Sequence, residues 1–480
     1  MVGGLAWFWV WQGHSAEIRA TIVRLLGSLD DAVPTDRLQL QFCDTWTAVH
    51  STAGHHDIEA AYERWMNDAD RLGDLRHAAM ARVVRGSHTA FLDPPAARVL
   101  IQEGLDSCEA IGEKFWSIYA EGAMALSWIM VERMDEADGV LERMERRSRS
   151  LGHPQLIADA VSRRAFVDHA LGRYGALESG CREVESDFAR ISTGNLTAVP
   201  RSILISVEVS RGRASAHEAA AHAMLTAYLR SGERQHVSVI LGALADVAIG
   251  LGRADEVSSL LNVLAAAGDE LDDYPFFRVR IRHRRALAAV AIDDRHGARA
   301  LLDAAMADCS AIGNRLSAAR TNVLLAFLDR RDGEHRRAFD RALAAIGLAE
   351  PMGAVQIGAS AVEVLAALSA DAGRPEVAAR LLGVGWRIRA TGGITVRLAW
   401  QADHDQVVGA VRPSSVMDTT PHLPRERHSR WVRRPPWPID SEARVRDPRP
   451  DGTVSPPPRR SSSTSPRWVG QTQRSPPSCS

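Results

Sequence analysis

A glycine closes an amphipathic segment about every forty residues along this chain, and that recurrence restricts the fold more than any other feature. The stretch from Asp293 to Gly313 carries the unit most cleanly. Its apolar residues Ala298, Leu301, Leu302, Ala305, Cys309 and Ile312 fall at i, i+3, i+4, i+7, i+11 and i+14. That spacing is one face of a helix of 3.6 residues per turn. Gly313 stands where such a helix stops, because a residue free to turn left-handed ends it. The same ending returns in Leu72-Gly73-Asp74, Ile111-Gly112-Glu113, Leu151-Gly152-His153 and Met352-Gly353, and more weakly at Gly194, Gly232, Gly268 and Gly392. The intervals are 39, 40, 42, 38, 36, 45, 40 and 39 residues. Units of that length, each helical, predict a stack of helical hairpins in which every unit packs on its neighbours.

The grammar between closures predicts nine hairpins. They pair 37–53 with 56–72, 75–91 with 94–111, 114–133 with 135–150, 154–172 with 173–191, and 199–212 with 214–231. The series continues as 233–251 with 253–267, 275–292 with 295–312, 314–331 with 333–350, and 353–373 with 375–390. Asp93-Pro94 reads as an N-cap followed by proline at the first helical position, where a missing N–H is no loss. Pro154, Pro275 and Pro375 are expected to open helices in the same way. No strand-like alternation interrupts the pattern, so the body, residues 1–412, is expected to be an all-α solenoid. Its first hairpin pairs Val2 to Trp11 with Ala16 to Leu26. Trp7, Trp9 and Trp11 crowd a helix with no polar cap, which points to a natural start further upstream or to pairing with another chain at this end.

Charge and composition exclude several classes. The net charge of -1 gives no bulk attraction to nucleic acid or anionic membrane. The opening apolar residues are too short to span a bilayer, and no segment reaches ~18 uninterrupted apolar residues. Five scattered cysteines without a CxxC pair suit reduced thiols in a cytoplasm. Lys114 is the only lysine beside 57 arginines, a skew expected from a GC-rich bacterial genome. It is followed by Phe115, so the Gly-Lys-Ser/Thr core of a phosphate-binding loop is missing. HExxH, GxSxG, GxGxxG and paired Cys-His spacings are missing too, so no enzyme, cofactor or metal site is expected.

Beyond Arg412 the character changes. Residues 413–480 hold 14 of the 22 prolines, with 12 arginines against 6 acids, a charge of +6 that leaves the body at -7. Proline, serine and charge without apolar faces bury too little surface to offset chain entropy, so a disordered tail is expected. Arg430-Trp431, Arg433-Arg434, Arg459-Arg460 and Arg467-Trp468 belong to it. A change of reading frame after Arg412 accounts for the tail equally well, since Pro413 to Pro421 can be back-translated in another frame to an Ala-Glu-Leu-Gly-Asp-type continuation.

The hairpin length, the alanine-rich second helices and the Leu-Gly-Asp-like closures together resemble tetratricopeptide repeats in their longer form. Trp7-Phe8-Trp9-Val10-Trp11-Gln12-Gly13-His14 looks like the start of the repeat region in large ATPase-coupled LuxR-type and SARP-type bacterial transcriptional regulators. Ala378-Ala379-Arg380-Leu381-Leu382-Gly383, with Arg387 and Asp403 to Arg412, looks like its close. The resemblance covers residues 1–412. It implies a right-handed superhelix that senses a signal, receiving a protein or peptide partner or a small effector in its groove. The ATPase and DNA-binding modules of that family have no counterpart here, so direct nucleic-acid binding by the body is not expected.

Three groups of residues invite a closer look. His55-His56 with Asp57 and Glu59 has metal-ligand chemistry but lacks a second ligand cluster, and reads as a solvated turn. Phe115, Trp116, Tyr119 and Trp128 share one first helix, the kind that lines the groove in tetratricopeptide stacks. Trp116 and Tyr119, three apart, form either a ligand platform or inter-helix core. In Phe276 to Arg285, Arg278, Arg282 and Arg285 form one stripe, and Arg280 with Arg284 another. Such stripes bind an acidic peptide or phosphate, or pair with acids such as Asp269, Asp293 and Asp294.

Overall fold

The computed structural model describes residues 15–28, 34–49, 55–188, 195–231, 237–266, 275–396 and 400–411. The tryptophans at 7, 9 and 11, the closures at Gly194, Gly232 and Gly268, and the whole of 413–480 lie outside the described residues. Within them the chain is entirely helical, with twenty α-helices and no strand.

Helix α1 (Ser15–Ser28) precedes nine hairpins. These are α2 (Pro34–Val49) with α3 (His55–Leu72), α4 (Leu75–Thr89) with α5 (Pro94–Ala110), and α6 (Lys114–Met130) with α7 (Met134–Leu151). Next come α8 (Pro154–Ala170) with α9 (Tyr174–Phe188), α10 (Asn195–Ser210) with α11 (Ala214–Ser231), and α12 (Val237–Gly250) with α13 (Ala254–Ala266). The last three are α14 (Pro275–Ala291) with α15 (Arg295–Ile312), α16 (Arg315–Arg331) with α17 (His335–Ala349), and α18 (Val355–Asp371) with α19 (Pro375–Gly392). All nine hairpins are present; of the expected first pair, Val2 to Trp11 lies outside the described residues and only its partner, α1, is seen. Prolines 154, 275 and 375 each open a helix, and Asp93 caps α5 by accepting from the Ala96 N–H at 3.0 Å. One helix, α20 (Gln401–Val411), goes beyond the nine pairs. It is only eleven residues long, and two of its three buried residues, Val407 and Val411, are apolar; too short a pattern to read from sequence.

The bends are more regular than the closing glycines alone suggest. Left-handed backbone recurs at most of the described bends, about twenty or forty residues apart once Glu132 and Asp293 are counted: Gly73, Gly112, Gly152, Gly172, Gly212, Gly252, Gly313, Gly333, Gly353, Gly373 and Gly393; the turn from α4 to α5, with Ala90 right-handed, is an exception. The turn inside a hairpin and the turn between hairpins thus use the same device, a residue with φ near 64–79° that costs glycine nothing. The final rung is Gly393 rather than Gly392, which stays inside α19 with its Cα against the Tyr174 ring. Two rungs carry a side chain: Glu132 (φ 53°) after α6 and Asp293 (φ 59°) after α14.

Packing follows sequence order. Each helix meets the next, and first helices also meet first helices one hairpin on, as α4 with α6, α6 with α8 and α10 with α12. A second level of contact is long-range. Arg211 Nε donates to the Gly392 carbonyl at 3.1 Å, 181 residues away, and Thr395 donates from N and Oγ1 to the Ser210 carbonyl at 2.9 and 3.0 Å, 185 residues away. Phe91 stacks on Phe277 with centroids 6.1 Å apart, and Val355 packs on Gly172.

Candidate functional site

Trp116 and Tyr119 are neighbours on α6, as their spacing predicts, with ring centroids 5.4 Å apart. Both rings are buried, at 2% and 9% exposure. Phe42 meets Trp116 edge-on at 5.7 Å, and Trp46 meets Tyr119 at 5.7 Å, so α2 covers the face that sequence offers as a platform. Burial raises the Tyr119 hydroxyl above its usual range. The rings therefore join α2 to α6, and present little surface to a ligand. Trp128, further along α6, lies under the guanidinium of Arg98 at 3.9 Å, and burial lowers the pKa of that arginine.

The arginines of α14 do form two stripes, and the structure places each against acids that the sequence did not single out. Arg278 grips Asp308 of α15 with two bonds of 3.0 Å, and Arg282 shares the same carboxylate while donating to the Ala304 carbonyl at 3.1 Å. Arg285 reaches Asn262 at 3.4 Å. In the other stripe Arg284 holds Asp246 of α12 bidentately at 2.9 Å. Arg280 lies over Phe276 and 3.9 Å from Glu132. Of the acids expected, Asp294 instead caps α15, Asp293 pairs with Arg295, and Asp269 lies outside the described residues.

Glu132 is 1% exposed, takes left-handed backbone, and has a buried Oε2 without a hydrogen-bond partner. Burial, reinforced by Arg284, brings the Arg280 guanidinium down to about 10 against the pull of Glu132. This ion pair is incompletely compensated, and it joins the bend after α6 to α14, 148 positions along.

Other chemistry-bearing residues are quiet. Cys43, Cys108, Cys181 and Cys309 are buried free thiols; burial pushes Cys108 up to about 11 and the others to about 12, far from a nucleophile's range. His55 and His56 open α3, with side chains outside the described residues. Glu218, His222 and Glu256 approach one another between α11 and α13, and Arg253 salt-bridges both glutamates.

A cavity of about 400 Å³ is the feature that sequence reasoning missed. It opens where three hairpins meet, at the bend after α12 and the C-terminal ends of α14 and α16. Ile249, Val257, Ala288 and Val290 give it apolar walls, and Arg253, Asp293 and Arg331 supply charge. Arg331 is held by Asp403 and lies 5.1 Å over Trp400, which stacks on Phe327 at 4.3 Å. The signal for it in the sequence is the exchange of glycine for aspartate at rung 293. Compared with protein families and curated proteins, the chain matches no family model and no curated sequence.

Proposed function

We propose that this chain is the signal-sensing region of a bacterial transcriptional regulator, a right-handed superhelix of tetratricopeptide-like hairpins that binds a partner or effector and performs no chemistry. The observation that carries the reading is the recurrence of left-handed residues at most of the described bends, about twenty or forty positions apart, which gives those hairpins a like bend. Units bent alike stack with a constant small rotation, and a superhelix is the geometric result. Contacts between residues 181 and 185 positions apart fit successive turns of that superhelix touching. Thiols far from reactivity and arginines already holding acids suit a binding surface better than a catalytic one. Binding would act by shifting the population of coil geometries, since neighbouring units move little but their rotations add.

The nucleotide sequence of the locus tests the regulator reading. An ATPase-coding stretch leading in frame into Met1 sustains it. An intact, unrelated gene there replaces it with a free-standing tetratricopeptide adaptor. Small-angle scattering tests the architecture separately, because an elongated or ring-like particle is expected and a solid globule would overturn the superhelix.

A further inference from the structure

We infer that the cavity between α12, α14 and α16 is a binding site for a small carboxylate-bearing amphiphile, such as a medium-chain acid. The inference rests on the sensing role above and names the chemistry of the effector. Three observations carry it. The volume, about 400 Å³, lies at the compact end of the ~300–1,000 Å³ typical of small-molecule pockets. The walls are mixed, with Ile249, Val257 and Val290 supplying an aliphatic side and polar atoms the rest, so a ligand with an apolar body and a polar head matches the space.

The third observation is the guanidinium donors at the lining: Arg253 and Arg331, themselves paired with Glu218, Glu256 and Asp403, border the space beside one carboxylate. That carboxylate, Asp293, is 71% exposed and already paired with Arg295 at 3.1 Å. Arg331 is fixed by Asp403 and Trp400. Arg253 is tethered to Glu218 and Glu256 from its two terminal nitrogens, through three bonds. A guanidinium has five N–H donors, so a tethered Arg253 keeps donors for a ligand and needs no reordering to use them. Asp293 shapes the mouth. Its left-handed backbone (φ 59°) replaces the glycine found at the neighbouring bends Gly252 and Gly333, and aspartate tolerates that region better than most residues.

Calorimetric titration of the full chain with octanoate, octylamine and octanol tests the inference. Octanoate is expected to bind saturably at one site and more tightly than either of the others. Ala291→Trp, at an exposed lining position, fills the space and is expected to abolish that binding. Arg253→Ala should weaken it about tenfold or more, the usual worth of a charge-assisted hydrogen bond. Circular dichroism of each variant verifies folding, and Arg253→Ala alone decides if the tryptophan variant fails to fold. Octylamine binding more tightly than octanoate, no saturable octanoate binding, or octanoate affinity unchanged in Arg253→Ala would each overturn the site. Those failures leave the sensing role standing, because it is decided at the locus and by scattering.

Discussion

The two ends of the helical body solve one packing problem in different ways. From α2 to α9 the core is rich in aromatic bulk: Phe42, Trp46, Tyr62, Trp65, Trp116, Tyr119 and Tyr174 are all buried there. From α15 to α19 the buried positions are mostly alanine, as at Ala298, Ala305, Ala338, Ala342, Ala345 and Ala361. Charge fills much of the remaining role there. Asp329, with a fully buried side chain, takes Arg299 at 2.7 Å, Arg341 at 2.9 Å and Arg337 at 3.5 Å. Arg330 joins Asp371 at 2.7 Å to Asp403 at 3.1 Å. Both regions use left-handed bends, at Gly112, Glu132, Gly152 and Gly172 in the first and at Gly313, Gly333, Gly353 and Gly373 in the second. Hairpin geometry is thus set by the turns, and each region fills the space between helices with what it has.

Substitutions can break that contrast in order of expected effect. Trp65→Ala should lose about 3–5 kcal/mol of stability by opening a cavity in the aromatic region, read by chemical denaturation. Asp329→Ala should lose about 3 kcal/mol, because it strands guanidinium groups beside a buried site; a loss below ~1 kcal/mol would mean surface-type pairing. Ala342→Leu should cost about 1–3 kcal/mol by overpacking the alanine region, whereas a neutral result would reveal slack between α17 and its neighbours. Gly333→Ala should cost about 1–2 kcal/mol through its left-handed backbone alone, and the same change at Gly172 should match it if the bends are equivalent.

A pH slope is the remaining expected effect. Burial raises Glu363 to about 7 despite Arg389 at 2.6 Å, and the same burial lowers Arg389. A carboxylate with a raised pKa binds more protons folded than unfolded between its ordinary value and about 7. Stability from this group therefore falls as pH rises through that window, by no more than about 1.4 kcal/mol per pH unit. Melting temperatures from pH 5 to 8 measure it, and Glu363→Gln should flatten the profile.

The hairpins were legible because their signals are local: a closing glycine, a proline at a helix start, an apolar face. The contact of Trp116 with Tyr119 was legible for the same reason. What covers them was not, because Phe42 and Trp46 come from a helix some seventy residues earlier. The partners of Arg278 and Arg284, at separations of 30 and 38, escaped likewise, since sequence reveals which residues share a face but not which face it meets. Half of the ladder was overlooked too. Gly172, Gly212, Gly252, Gly333 and Gly373 were visible as hairpin turns, but their equivalence to the closing glycines emerged only from their φ angles. With that equivalence in view, Glu132 and Asp293 stand out, and each lies at a place where the molecule joins distant parts or opens a space.

The two bonds from Thr395 to the Ser210 carbonyl bear on how such a chain comes apart. A purely linear array can fray from its end one unit at a time. Here the last hairpin is buttoned to the middle of the chain, so losing the end exposes the centre. A single protease nick between Gly393 and Val396 should therefore loosen α10 as well as α19, and unravelling should be abrupt rather than stepwise.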